Sequence, residues 1–368
     1  MSLNSSFYLA FLLLSVLVYW GAPKYLRSII LIAFGLIFVA MSSIEHLIVL
    51  LALSIIAFIA LKIKRVWVIG IVILVCVLAF FKYASVIGSL IASSTGTPLD
   101  WSAVALPLGI SYLTFELIGT LVDRPNPNWK EFFAFAWFFP TRSAGPIKRY
   151  EQFAEQLKNS SIKTEYFAYG FILILIGLAQ KNIIADPLAH TTGLLSTPTE
   201  LRGSFDAAWL LFLYSIRIYA DFAGITNIAM GSALLFGIQV PKNFCYPYLR
   251  ENIALFWRNW HMSLSNWVRD YIYIPLGGSR VGQFRLLMNL MITMFIIGIW
   301  HGSTLNFAVW GIYHGAGLCI HRLWPIRMPR VLGILITFIF VTIGWAFFVT
   351  ASLGDSILIL QTLFGLKS

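Results

Sequence analysis

Six histidines stand in a chain whose residues are 59% hydrophobic and only 11% charged, so an imidazole is the first place to look for chemistry. Near neutral pH the ring accepts and returns a proton, and inside an apolar segment it is costly without a partner or a polar cavity. His301 stands in GIWHGSTLNF, where Gly302 and Ser303 offer a helix break beside the ring and Trp300 an aromatic wall. A base on a broken helix can face a cavity. From position alone, an imidazole packed against a backbone carbonyl is an equally open reading.

His261 lies in FWRNWHMSLSNWVRD, with Arg258 three residues before it and Ser265 four after. That spacing puts the three on one face of an expected helix, a polar seam among aromatics. The competing account is an interfacial helix whose Trp257, Trp260 and Trp267 sit at headgroup level. If residues 299–314 formed one helix, His301 and His314 would point about 140° apart, so His314 is expected to be structural. His321 adjoins Arg322 and reads as part of a charged boundary, while His46 and His190 sit beside connectors. In YSIRIYADFAG, Arg217 and Asp221 are four apart and are expected to pair, with Tyr214 on the same stripe. Such a pair suits holding the fold as well as touching a substrate.

Other chemistries lack their motifs. The sequence has no GxxxxGK phosphate loop, no HExxH, no GxSxG elbow and no GxGxxG after a strand. Cys76, Cys245 and Cys319 show no ligand or disulfide spacing and read as packing residues, so no metal centre is expected.

The elements that must position these residues are membrane helices. Apolar residues come in runs over 7–20, 44–61, 66–81, 167–176 and 331–350 rather than in narrow stripes. The net charge of +11 sits in short clusters between the runs, which suits membrane topology and not nucleic acid. Lys24 and Arg27 follow the first run, and Lys62, Lys64 and Arg65 follow the third once the apolar run before residues 41–43 is counted, whereas residues 41–43 and 92–100 lack Lys and Arg. The N-terminus is therefore expected outside, with residues 1–20 a retained first segment rather than a cleaved leader. Residues 101–122 are expected to return inward. Residues 132–140, about 14 Å as a helix against a core of about 30 Å, are too short to cross. Residues 166–185 are read as crossing outward, and 205–239 as one span plus a broken or re-entrant piece. Residues 242–285 are read as amphipathic helices at the inner face, and 286–300 as a segment that reaches His301 before the far surface. Arg142, Lys148 and Arg149 read first as inner-loop charge, and second as attractors of a donor's phosphates. No repeat is visible. The expected architecture is all-α: one polytopic domain over 1–368, with roughly 9 to 12 membrane-embedded helices including re-entrant or interfacial segments.

FWRNWHMSLSNWVRDYIYIPLGGSR, followed after a hydrophobic helix by GIWHG, resembles the signature of bacterial membrane-bound O-acyltransferases. Residues 106–123 (LPLGISYLTFELIGTLVD), 138–153 (FFPTRSAGPIKRYEQF) and 218–249 resemble the same family, and the likeness reaches WAFFVTASL at 345–353. The IPLGG at 274–278 is similar to the alginate and peptidoglycan O-acetyltransferase branch, with D-alanyl-teichoic-acid transfer proteins as cousins. Two positions depart from it: DFAGITN at 221–227 stands where relatives commonly read DFSGYSD, which puts Asn227 in the motif, and Arg217 replaces an uncharged amide. Alginate-type relatives continue with further hydrophobic segments beyond the equivalent of Ser368, so either those helices are dispensable or this is a compact subfamily.

The resemblance implies that His301 is the essential histidine and His261 the second, both lining a tunnel between a cytoplasmic donor entrance and an outer acceptor pocket. Trp300, Arg258, Ser265, Asp221, Asn227 and Tyr214 are the further candidates for the substrate path. The implied donor is an acyl thioester, acetyl-coenzyme A or an acyl carrier, with no permanently bound cofactor. The implied acceptor is an envelope or extracellular polysaccharide, reached directly or through an outer acyltransferase partner. The setting is a bacterial inner membrane, with membrane lipid around the chain. D-alanyl transfer to teichoic acid, and a transporter or lipid-translocating channel without acyl chemistry, are the alternatives.

Overall fold

The computed structural model describes residues 2–95, 104–325 and 328–366, and every regular element in them is helical. Among the described residues, six helices are long and apolar enough to cross a membrane: Ile44–Lys62, Trp67–Thr95, Thr164–Ser196, Ser204–Leu234, Gln283–His301 and Arg330–Val349. Ser6–Gly21 and Leu353–Leu363 are shorter apolar helices. The chain is thus an all-helical, polytopic membrane protein. It folds as two compact units, Met1–Leu178 with Gly224–Lys242, and Ala179–Ala223 with Asn243–Ser368.

The first unit begins with α1 (Ser6–Gly21), α2 (Arg27–Ala40), α3 (Ile44–Lys62) and α4 (Trp67–Thr95). Ser5 and Ser43 start α1 and α3 by accepting hydrogen bonds from the Tyr8 and His46 amides, which satisfies donors that a helix start leaves orphaned. α5 (Ile110–Asp123) is shorter than the span expected over 101–122. Pro107 lacks an amide donor, and Gly109 has φ 73°, a conformation that ends regular helix. A side chain at Gly109 would also collide with the Arg142 carbonyl. Most of the polar loop read over 92–100 lies outside the described residues.

α6 (Trp129–Ala136), α7 (Tyr150–Lys158) and α8 (Thr164–Ala179) complete this part. As its length requires, α6 does not cross; Phe132, Phe135, Phe138 and Phe139 are buried in and just after it. Arg142 and Lys148 are only 2% and 3% exposed, which overturns their reading as loop charge. Both pair with Glu116 of α5, at 3.5 and 2.7 Å. Burial pulls the Lys148 ammonium down to about 8, with Glu116 opposing the shift.

In the second unit, α9 (Asp186–Thr192) is followed by α10 (Ser204–Leu234), which belongs to this unit as far as Ala223. The stretch over 205–239, expected to contain a broken or re-entrant piece, is this single helix as far as Leu234, after which the chain turns over residues 235–237 with Gly237 at φ 76°. Then come α11 (Ile253–Asn259), α12 (Met262–Val268), α13 (Gln283–His301), α14 (Leu305–Leu323), α15 (Arg330–Gly344), α16 (Ala346–Val349) and α17 (Leu353–Leu363). α13 and α14 form a tight helical hairpin. Gly298 faces the Phe307 carbonyl, and a Cβ at Gly311 would lie 2.5 Å from the Met294 carbonyl oxygen, so larger residues would force the helices apart.

Candidate active site

All of the candidates except Asn227 fall in the second unit; Asn227, farther along α10, belongs to the first. His301 is the last residue of α13. The helix stops there because Gly302 is fully extended, and α14 restarts after Thr304. The single helix considered over 299–314 is therefore not formed, and His301 and His314 stand on the two arms of the hairpin.

Aromatic rings enclose His301 on three sides. Trp300, Phe348 and Trp310 have ring centroids 4.6, 5.1 and 5.3 Å from the imidazole. Asn306, buried at the start of α14, donates to the carbonyls of Phe347 and Thr350 at 3.0 and 2.7 Å, which ties the segment bearing Phe348 to the hairpin. His301 keeps partial exposure, whereas His261 and His314 are buried. Of the three, it is the imidazole that a substrate reaches most directly.

His261 is placed by a break of a different kind. Its backbone is left-handed, φ 44° and ψ 52°, so the chain kinks between α11 and α12. The kink undoes the expected seam: Arg258 is exposed, and Ser265 donates to the Trp260 carbonyl at 3.1 Å. A non-glycine residue in this conformation costs on the order of 1–3 kcal/mol and persists only where its surroundings hold it. Asn243 supplies the hold. Its backbone carbonyl accepts from the Met262 amide at 2.9 Å, and its Oδ1 accepts from the Ser263 amide at 3.3 Å and the Ser263 hydroxyl at 2.6 Å.

The same oxygen lies 3.3 Å from His261 Nδ1. Because the Ser263 amide can only donate, Oδ1 is identified as the acceptor, so Nδ1 carries the proton in the neutral ring. Nε2 is then a lone pair, buried and without a hydrogen-bond partner among the described residues. Burial pushes the imidazole down to about 3, which keeps it neutral at pH 7. Phe222 packs 4.6 Å from the ring, and Trp300 lies 6.3 Å away, between His261 and His301 in the sequence of ring contacts.

Trp310 continues the series to His314, 4.7 Å off. His314 is also walled by Trp257 and Phe340, and neither of its ring nitrogens has a hydrogen-bond partner among the described residues. The expected Arg217–Asp221 pair is absent. Asp221 instead pairs with Lys181 at 2.7 Å, and Lys181 also pairs with Asp186 at 2.6 Å. Arg217 donates to Thr192 Oγ1 at 2.9 Å and lies over the Tyr214 ring at 5.7 Å, which keeps the expected stripe but changes its partner. Lys181 reaches Asp221 from a π-helical turn, Gln180–Ala185, a geometry that spacing rules do not anticipate.

Sequence reasoning missed Asn243, Asn306, Trp310 and Phe348. The two asparagines were visible as amides in largely apolar surroundings, but nothing local said which carbonyls or rings they serve.

The membrane-bound O-acyltransferase family model matches residues 55–353, and the chain belongs to that family. The probable alginate O-acetylase AlgI of Pseudomonas aeruginosa is 37% identical over 77% of this chain and 57% of its own length. Its counterpart in Azotobacter vinelandii is 33% identical, over 94% of this chain and 74% of that protein. The peptidoglycan O-acetyltransferase of Helicobacter pylori is 33% identical, over 84% and 68%. The chain thus spans little more than half the length of the Pseudomonas relative.

Proposed function

We propose that this protein is an O-acyltransferase that moves an acyl group, acetyl in the first instance, from a thioester donor to a hydroxyl of an envelope or extracellular polysaccharide. The observation that carries this reading is the partly exposed His301 at a helix break, walled by Trp300, Trp310 and Phe348. In the reaction, the acceptor O–H proton passes to His301 while the oxygen attacks the thioester carbonyl. The C–O bond forms, the C–S bond breaks, and the imidazolium returns the proton to the departing thiolate. An aromatic enclosure supports this by excluding water that would hydrolyse the thioester.

His261 does not suit the oxyanion-donor role in its neutral tautomer, because Nε2 presents a lone pair. The arrangement supports it as an acceptor that orients a substrate hydroxyl or water. The donor is acetyl-coenzyme A or a charged carrier protein, and an outer acyltransferase partner relays the group where transfer is not direct. The membrane is the bacterial inner membrane, with the N-terminus outside.

A second reading, D-alanyl transfer to teichoic acid, is favoured by one observation. The teichoic acid D-alanyltransferase of Bacillus subtilis is 31% identical over 66% of this chain and 68% of its own. Purified protein should consume acetyl-coenzyme A when supplied with an uronic-acid polysaccharide or peptidoglycan. Consumption only of a D-alanyl carrier thioester would select the second reading, and unimpaired transfer by His301→Ala would remove His301 as the base.

A further inference from the structure

Within the second unit, a cavity of about 440 Å³ whose lining includes neither His261 nor His301 opens between α14, α15 and the chain just before α11. Its size falls in the range of small-ligand sites. The body is hydrocarbon, formed by Ile253, Ile320, Met328, Ile336 and Phe340, and Trp324 stands at the rim, 71% exposed. Trp at such a place marks headgroup depth in a membrane protein.

Two ionisable groups also line the cavity, Glu251 and His321. Glu251 is out of keeping with the +11 charge of the chain, and it forms no ion pair among the described residues. Arg322 and Arg330, both exposed, flank the lining in sequence at the end of α14 and the start of α15. An apolar body with a carboxylate in its lining, and exposed arginines next in sequence to its lining elements, complement an amphiphile whose head carries an ammonium next to a phosphate. The polyphosphate of a nucleotide thioester has the wrong sign for Glu251 and the wrong polarity for the walls.

We propose that this cavity binds an aminophospholipid of the phosphatidylethanolamine class, with one acyl chain against Ile336 and Phe340 and its ammonium at Glu251. The bound chain also touches the outer layer of the histidine region, because Phe340 stacks on Tyr313 at 4.3 Å and lies 5.6 Å from His314.

The test is lipid retention by the full-length protein, measured by native mass spectrometry with phosphatidylethanolamine or phosphatidylglycerol of identical chains. The wild type should retain the amine lipid about tenfold better, the scale of one charge-assisted hydrogen bond. Glu251→Gln should bring the two lipids level, and Ile336→Trp, which fills the cavity, should weaken both about tenfold. Unfolding midpoints of the variants report any loss of fold separately, and the wild-type comparison decides the matter by itself. Equal retention of both lipids by the wild type overturns the proposal, as does displacement of the amine lipid by coenzyme A.

Discussion

Trp310 stands edge-on to His301, with ring centroids 5.3 Å apart at 85°, although a helix break lies between them in the chain. The contact exists because α13 and α14 approach backbone to backbone at Gly298 and Gly311. Gly311→Leu should therefore separate the rings. Overpacking of this kind costs about 1–3 kcal/mol, and we expect a lower unfolding midpoint in detergent together with loss of thioester turnover. A variant that keeps wild-type turnover would show that the enclosure of His301 is dispensable.

Asn243→Leu should uncouple the kink at His261. Ser263 and His261 Nδ1 would lose their common acceptor, at about 1–3 kcal/mol for the stranded buried groups. Turnover should fall along with stability, whereas Arg258→Gln, at an exposed side chain, should leave stability unchanged. Parallel measurement of kcat and the unfolding midpoint checks the contrast.

His261 also makes stability depend on pH. Its folded-state value near 3 lies below the ordinary 6.5 of a free imidazole, so between these values the unfolded chain holds a proton that the folded chain refuses. The contribution is fully present above pH 6.5 and is lost as pH falls toward 3, with a slope of up to about 1.4 kcal/mol per pH unit. Unfolding scans from pH 7.5 to 4.5 should show a steeper fall for the wild type than for His261→Gln; parallel curves would refute this.

Glu116 neutralises two buried cations, so Glu116→Gln should be among the most destabilising single changes, at about 3–5 kcal/mol. The double variant Glu116→Gln, Lys148→Met should recover part of that loss. Failure to recover would mean that Arg142 alone requires the carboxylate.

His314 offers the opposite test. With both ring nitrogens unpartnered in a buried site, His314→Leu should be neutral or stabilising by unfolding midpoint, since an apolar residue of similar size strands no polar group. Marked destabilisation, or turnover lost from a well-folded variant, would give this ring a polar role.

Much of this protein is legible in its sequence. Apolar runs far longer than those of soluble helices leave the bilayer as the solvent, and there only internally hydrogen-bonded helices cross. The break after His301 was likewise visible, because Gly302 and Ser303 are local signals. The kink at His261 was not. FWRNWHMSLSNW has the composition of a continuous helix, and it is Asn243, 18 residues earlier in the chain, whose backbone and side-chain oxygens hold His261, Met262 and Ser263 in the kink.

Charge pairing separates the two levels of information most clearly. Spacing along one helix paired Asp221 with Arg217, because i, i+4 neighbours share a face. The folded chain pairs it with Lys181 from a π-helical turn, and it buries Arg142 and Lys148 around Glu116 where the sequence suggested the solvated charge of an inner loop. Sequence by itself determined the solvent, the helical class and the histidines to suspect, since these follow from composition and local backbone preference. Tertiary structure alone decided which carboxylate meets which cation, which nitrogen of His261 carries the proton and which rings enclose His301. Those outcomes depend on distances between residues remote in the chain, and no local periodicity encodes them.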